Sequence, residues 1–322
     1  MAAPPDETSP SPRLIEVFSI GCGARAQGYG PLARQLTDLL AHGLSGFDGL
    51  VARPHHLLGS PLDEATLDPN LEEGYDPSLD PNGELPDRIA FILFSSLPSD
   101  ALVRRLARER GVRLALSGRM VLEGRQVDLS MNLWDVEPPN LLWCRALFGD
   151  LEELPAMVSH AIALLAYSLQ ASGAETRELA AARAAERVGT RSYSALRHFA
   201  AATELLRRAR LTPNRPLNHG ALPLSLCAAI AADPDYEAPR IMLLEHSVAR
   251  FKVGDQSYAQ ALLDRLSKLR EPRLLFDLLR VEAHLCLGQT ESATRQLDRA
   301  ETAWGEDPHL RAARDRLSRL VG

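Results

Sequence analysis

The chain has 322 residues, which is long enough for two domains of roughly 150 residues each. Its formal charge is −6, with 21 acids against 13 bases in residues 1–150 and 21 against 23 in residues 151–322. Neither half carries the strong basic excess of a nucleic-acid-binding domain, so we do not expect a nucleic-acid partner.

Residue counts exclude further classes of function. The chain has only two lysines, Lys252 and Lys268, and neither follows a glycine, so it has no Walker A phosphate loop. The HRD-type loop and the DFG motif of protein kinases are also missing from the sequence. The four cysteines show no C-x-x-C spacing, which argues against a metal cluster and predicts reduced thiols. The longest apolar stretch, 156–169, is too short to span a bilayer, so we expect a cytoplasmic protein without a membrane segment.

The N-terminal half predicts an α/β domain with a mixed sheet over residues 13–150, after a disordered Pro- and Ser-rich tail at 1–12. β-favouring residues predict a strand at 13–20 and another at 49–52. Between them, leucines at helical spacing behind a proline predict a helix at 31–41.

Residues 54–87 then interrupt the regular pattern. From 59 to 87 the sequence has nine acids and no base, which predicts an acidic surface loop or a disordered insertion. Residues 88–94 are apolar and fit either a strand or a helix. Ser99 is a helix-capping residue type, and the helix it begins is predicted to end near Arg110.

Three antiparallel strands are predicted next. Residues 112–121 and 126–136 flank Glu123-Gly124, a favourable hairpin turn, and the second of these strands alternates apolar and polar residues. A turn at 138–140 leads into a third strand at 141–148. These strands complete the predicted α/β domain.

All of the sequence after residue 150 predicts helix. We expect connecting helices within 151–190 and a helical array over 191–322, which gives an α/β domain followed by an all-α part. Apolar periodicity predicts helices at 151–170, 175–187, 193–211, 222–232, 237–252, 256–269, 273–286, 290–303 and 308–320. The last of these has leucines on one face and arginines elsewhere, as a capping helix requires.

A sequence repeat runs through this array. Gly254 is matched by Gly288, and Ala259 is matched at the same spacing by Ala293. This spacing equals the period of tetratricopeptide (TPR) repeats, in which helical hairpins stack and leave a concave binding surface. The sequence therefore predicts a TPR-type array that binds a protein.

The part from 95 to 172 resembles the TolB amino-terminal-like module, with a looser resemblance over 13–53. The features that carry it are a helix ending in Gly-Val, a glycine within the first strand, a Gly-containing hairpin, an alternating strand and a tryptophan in the last strand. In this chain they fall on Gly111 and Val112, Gly118, Gly124, Val127 to Leu133, and Trp143.

The resemblance implies an α/β fold similar to anticodon-binding domains and a non-catalytic role in bacterial signalling or regulation. It offers no catalytic residue. Related bacterial chains attach the module and TPRs to cyclases, kinases or winged-helix domains, and this sequence shows none of those. A separate protein would have to supply the effector.

The first helix of each repeat lines the groove of a TPR stack, which gives a candidate partner-binding site. Repeat alignment predicts that seven positions face inward, namely Leu244, Val248, Phe251, Lys252, Leu278, Glu282 and Leu285. A mostly apolar lining of this kind suits an amphipathic helix of a protein or peptide partner. The alternative is that the long helix at 151–170 or the capping helix of the same chain fills the groove.

A second candidate site is the Gly-rich loop at residues 21–30. Gly21, Gly23 and Ala26 match the G-x-G-x-x-A dinucleotide pattern, and Asp48 lies near the usual position of a ribose-binding acid. The alternative interpretation is a flexible loop without a ligand. His55 and His56 are adjacent and lack further ligands at metal-site spacing, so we expect no metal. We expect no cofactor and no catalytic site, and hence a non-catalytic adaptor, with a nucleotide or small-molecule sensor as the alternative.

Overall fold

A computed structural model describes residues 12–22, 29–55, 100–171, 173–211, 221–269 and 273–321. It has an N-terminal mixed sheet with helices, followed by a run of helices, which confirms the predicted α/β and then all-α layout. The chain divides into two compact units between Tyr193 and Ser194. Within the described residues, no helix is both long enough and apolar enough to cross a bilayer.

Several predictions from the sequence lie outside the described residues. These are the tail at 1–11, Gly23 and Ala26 of the Gly-rich loop, the acidic segment beyond His55, the apolar stretch at 88–94 and the capping residue Ser99.

The first unit contains six strands and four helices among its described residues. The strands are β1 (Arg13–Phe18), β2 (Gly21–Cys22), β3 (Leu50–His55), β4 (Leu114–Glu123), β5 (Gln126–Asp135) and β6 (Asn140–Asp150). The helices are α1 (Gly30–Leu44), α2 (Asp100–Glu109), α3 (Leu154–Ser168) and α4 (Arg177–Val188). A short 3₁₀ turn at Leu151–Glu153 precedes α3, where the sequence predicted one continuous helix.

The sheet has the strand order β3-β1-β4-β5-β6, and β2 pairs separately with β4. β1 is parallel to both β3 and β4, whereas β4, β5 and β6 are antiparallel, so the sheet is mixed as predicted. The predicted hairpin turn is confirmed, because Gly124 joins β4 to β5 with a φ of 64°, a value that glycine adopts readily. β1 ends at Phe18, two residues earlier than predicted.

Helices cover both faces of this sheet. On one face β5 buries every second residue, including Val127, which pairs with Gly149 of β6. α3 packs closely at this place, because a Cβ added to Gly149 would lie 3.0 Å from the sulfur of Met157. On the other face α2 packs against the sheet through a core of Phe18, Val103, Ala107, Ala115 and Val136. This two-sided burial follows from the period-two alternation of strand side chains.

The second unit consists of helices over its described residues. They are α5 (Tyr193–Leu211, which begins at the division between the units), α6 (Ala221–Ala232), α7 (Glu237–Lys252), α8 (Gln256–Leu266), α9 (Leu274–Cys286), α10 (Thr290–Trp304) and α11 (Pro308–Val321). The predicted helices match these bounds closely, and the largest difference is that α8 ends at Leu266 rather than at residue 269.

The turns that join α7 to α8 and α9 to α10 are equivalent. Gly254 and Gly288 have φ values of 68° and 71°, in the left-handed region that glycine favours at a helix C-terminus. The amide of Asp255 donates to the Arg250 carbonyl at 3.1 Å, and at the matching place in the next hairpin the amide of Gln289 donates to the His284 carbonyl at 2.9 Å. The repeat in the sequence is therefore a structural repeat of two helical hairpins.

Two apolar cores hold these helices together. One core contains residues of the five consecutive helices from α5 through α9 and is centred on Tyr258 and Leu262. The other core contains residues of α9, α10 and α11 and is centred on Leu297. α11 buries one face as predicted for a capping helix, since Leu310, Ala313 and Leu317 belong to the second core. The two repeats differ in detail, because Leu263 is only half-buried although Leu297, its match in the sequence, is fully buried.

Candidate functional site

The second unit contains an open groove between α7, α9 and α11, with a volume of about 590 Å³. Its lining is mostly apolar. The residues are Leu244, Val248, Phe251 and Lys252 of α7, Leu278, Leu279, Glu282, Leu285 and Cys286 of α9, and His309, Ala312 and Arg316 of α11. All seven positions predicted from the repeat alignment lie in this one groove, so the structure brings them together.

Helical periodicity explains how α7 and α9 form two walls of the groove. Leu244 and Val248 are one turn apart on α7, and they leave 42% and 38% of their surface exposed. Leu278, Glu282 and Leu285 follow the same spacing on α9 and are half-buried. The exposed leucine and valine of α7 and the half-buried leucines of α9 line the same groove and give it a contiguous apolar surface, which is a feature of protein-binding surfaces.

α11 contributes the third wall, which sequence reasoning missed. His309, Ala312 and Arg316 line the groove from this helix, whereas the main prediction for it was a capping role. The predicted alternative was that the helix at 151–170 or the capping helix fills the groove. Over the described residues, α11 forms one side of the groove and does not fill it. The spacing of leucines and arginines in the sequence shows which face of α11 is buried. It does not show which neighbouring helix the residues outside that face contact.

An ion pair joins two walls inside the groove. Nη1 of Arg316 donates to Oε2 of Glu282 at 2.8 Å. Burial raises the pKa of the Glu282 carboxyl, and the nearby Arg316 charge opposes that shift. The negative charge of Glu282 is therefore neutralised within the chain.

Lys252 is the remaining strong charge of the groove. Its side chain is exposed, and no ion pair to it occurs within the described parts of the chain. Arg250, on the same last turn of α7, is paired with Asp255 at 3.4 Å. Lys252 thus presents, at the end of an apolar wall, an ammonium group that none of the described carboxylates neutralises.

The groove also contains a thiol, that of Cys286 on α9. Burial raises the pKa of the Cys286 thiol, with a further contribution from Asp255, so this thiol is a poor nucleophile at neutral pH. Across the described ranges, no group of three His, Cys, Asp or Glu side chains is arranged to hold a metal. An apolar surface with a few fixed charges can position a peptide by burial and select it by charge.

The Gly-rich loop is only partly described. Gly21 lies in β2, where it pairs with Arg119 of β4, and Asp48 is an exposed residue between α1 and β3. The backbone of Gly21 therefore belongs to the sheet rather than to an open loop. Gly23 lies outside the described residues, so the complete dinucleotide pattern stays a prediction.

A second polar cluster lies in the first unit, and sequence reasoning did not find it. The Glu16 carboxylate is 2.9 Å from Nε of Arg110 and 3.4 Å from Nδ1 of His55, and only 8% of its side chain is exposed. Its other oxygen, Oε2, is buried without a hydrogen-bond partner. The parallel register of β1 and β3 brings Phe18 beside His55, and their rings lie 4.8 Å apart. This cluster ties β1, β3 and the end of α2 together.

The sequence matches no protein-family model, and no curated protein matches it significantly.

Proposed function

We propose that this protein is a non-catalytic adaptor, which binds a protein partner in the groove between α7, α9 and α11. In this proposal the helical array is of the TPR type and the N-terminal unit is a TolB amino-terminal-like module. The equivalent glycine turns at Gly254 and Gly288 support the first assignment, because their spacing equals the TPR period. The strand and glycine pattern of residues 111–143 supports the second.

One observation carries the proposal. The positions that the repeat predicts to face inward line a single open, apolar groove of about 590 Å³. A repeat protein buries most apolar residues between neighbouring repeats, so a row of exposed apolar residues on the inner helices needs another explanation. In this proposal, the explanation is that a bound partner covers this row.

The shape of the apolar row favours a helical partner. Ile241 is 47% exposed and lies one turn before Leu244, so the row on α7 runs from Ile241 through Leu244 and Val248 to Lys252. This row covers three turns, or roughly 16 Å of helix. A partner helix of similar length could place apolar residues at i, i+3, i+4 and i+7 along it. The pathway in which the adaptor acts depends on that partner.

The proposal can be tested with two variants of matched exposure. Leu244→Glu places a charge in the groove, and Leu179→Glu places one on α4 of the other unit, where Leu179 is 43% exposed against 42% for Leu244. The wild type and both variants are used to capture partners from an extract of the source cells, followed by quantitative mass spectrometry. A captured protein is then purified, and its affinity is measured for all three forms.

We expect Leu244→Glu to lose the partner and Leu179→Glu to retain it. A charged residue in the centre of an apolar interface typically costs ~2 kcal/mol or more, or about thirtyfold in affinity. Equal recovery by all three forms would exclude the groove as the binding site. Loss in the Leu179→Glu variant alone would assign binding to the N-terminal unit.

The alternative of a nucleotide or small-molecule sensor at residues 21–30 is tested separately by thermal shift. A ligand at 100 times its dissociation constant adds about 2.7 kcal/mol to the free energy of unfolding. A nucleotide that raises the melting temperature of the wild type but not of Gly21→Val would favour the sensor over the adaptor.

A further inference from the structure

Over the described residues, the outer edge of β6 is an unpaired strand edge. β6 ends the strand order of the sheet over the described residues, and it is 11 residues long, about twice the usual strand length of ~5–6 residues. On its outer side no described strand pairs with it. An edge strand of this length offers a row of backbone donors and acceptors to another strand.

The side chains of β6 are unusually apolar for an edge. Phe148 is 74% exposed, Leu142 is 45% exposed and Leu141 is 42% exposed. Arg145 is the only charged residue between Asn140 and Gly149, and the strand contains no proline. Proteins commonly prevent edge pairing with charges, prolines or short strands, and β6 has little of this protection.

The opposite edge of the sheet, β3, provides an internal comparison. β3 has six residues in the described part of the chain and contains Pro54, which lacks a backbone N–H, beside the exposed Arg53. Among the described strands, one edge of the sheet is therefore protected against pairing and the other is unpaired. This asymmetry points to a use for the β6 edge.

We propose that two copies of this chain associate through their β6 strands, which pair antiparallel and join the two sheets into one. β6 contains a bulge against β5 near Trp134, and its pairing is regular from Trp143 to Asp150. A two-fold axis at Ala146 lies at the centre of residues 143–149. The interface is then isologous, with the same strand contributed by each copy.

This register matches the side chains of the strand with themselves. Ala146 faces Ala146 of the second copy, Arg145 faces Leu147, Cys144 faces Phe148 and Trp143 faces Gly149. No two like charges lie opposite each other, whereas a register centred on Arg145 would place two guanidinium groups side by side, which destabilises strand pairing. Phe148 gains a contact with the sulfur of Cys144, a favourable partner for an aromatic ring.

The oligomeric state of the full chain tests the proposal. We expect the wild type to sediment as a dimer, and Phe148→Asp to weaken the dimer roughly tenfold or more because it places a charge in the paired strands. Val253→Asp is the matched control, since Val253 is also 74% exposed but lies in the turn after α7. Circular dichroism of each variant checks that the fold is intact.

Engineered disulfides test the register. In a Cys144→Ser background, Ala146→Cys places two thiols directly across the two-fold axis, at a Cα separation of ~4.5–5.5 Å that a disulfide can bridge. Mild oxidation should give a covalent dimer with this variant and none with Cys144→Ser alone, which retains the other cysteines of the chain. A monomeric wild type would overturn the proposal. So would a dimer that survives Phe148→Asp and fails to cross-link through Ala146→Cys, because it would then use another surface.

Discussion

Tyr258→Phe is expected to destabilise the chain more than the double change Ser247→Ala/Tyr258→Phe. Ser247 Oγ and Tyr258 Oη form a hydrogen bond of 2.9 Å between α7 and α8, and both side chains are fully buried. Phenylalanine keeps the ring contacts of Tyr258 with His246 and Phe251, so the single change removes only the hydroxyl group.

The magnitude follows from what each change leaves behind. Tyr258→Phe leaves the Ser247 hydroxyl buried without its side-chain partner, and such an unsatisfied group costs about 1–3 kcal/mol. Ser247→Ala does the same to the Tyr258 hydroxyl. The double change removes both groups, and replacing both partners of a buried hydrogen bond can be nearly neutral. The cost of the double variant should therefore fall short of the sum of the single costs by roughly 2 kcal/mol.

Urea unfolding of the four proteins, followed by circular dichroism, measures this difference. The slopes of the unfolding transitions should agree, so that shifts of the midpoint report stability. If the costs of the single changes add to that of the double change, the hydrogen bond does not couple the two helices. A double variant less stable than Tyr258→Phe would likewise refute the reasoning.

Three further predictions concern the same unit. Burial raises the pKa of Tyr258 from 10 to about 12. The stability that the neutral phenol contributes is therefore complete below pH 10 and is lost as the pH rises toward 12. Urea unfolding over this pH range should show a smaller loss of stability for Tyr258→Phe than for the wild type. Arg316→Ala should raise the pKa of Glu282 further, because burial already raises it and the Arg316 charge opposes that shift; an NMR titration of the carboxyl carbon that shows no upward change would contradict this. Because burial holds the pKa of Glu282 above its unfolded value, the stability that the protonated carboxyl contributes is complete below the unfolded pKa and is lost as the pH rises through the folded pKa. In Arg316→Ala this loss should extend to higher pH than in the wild type. Gly254→Ala and Gly288→Ala should each cost about 1 kcal/mol, since φ is positive at both sites and a Cβ meets no atom within 4 Å; urea midpoints that differ widely between them would show that the two turns are not equivalent.

Local signals in the sequence predicted most of the fold. A left-handed turn between helices favours glycine, so Gly254 and Gly288 mark the repeat in the sequence itself. Alternation of apolar and polar residues predicted β5, and the structure buries Leu129, Met131 and Leu133 on one of its faces, because side chains of a strand point to opposite sides in turn. Both signals depend only on residues within one element or one turn.

The parts that were missed depend on contacts between distant elements. Arg316 meets Glu282 from another helix, and a single sequence does not show which of several arginines on α11 faces the groove. The Glu16 cluster requires the parallel pairing of β1 with β3 and the end of α2 at once. β2 has two residues, too few to show a period. The sequence therefore predicted the two walls of the groove that α7 and α9 form, but not the wall that α11 forms.

The scarcity of lysine has a practical consequence for the groove. Lys252 and Lys268 carry the only side-chain amines of the chain, and both are exposed. Lys252 lines the groove, whereas Lys268 lies after the end of α8. An acylating reagent therefore finds one amine inside the groove and one outside it as an internal reference. The ratio of acylation at these two sites reports occupancy of the groove directly, even for a ligand whose identity is unknown.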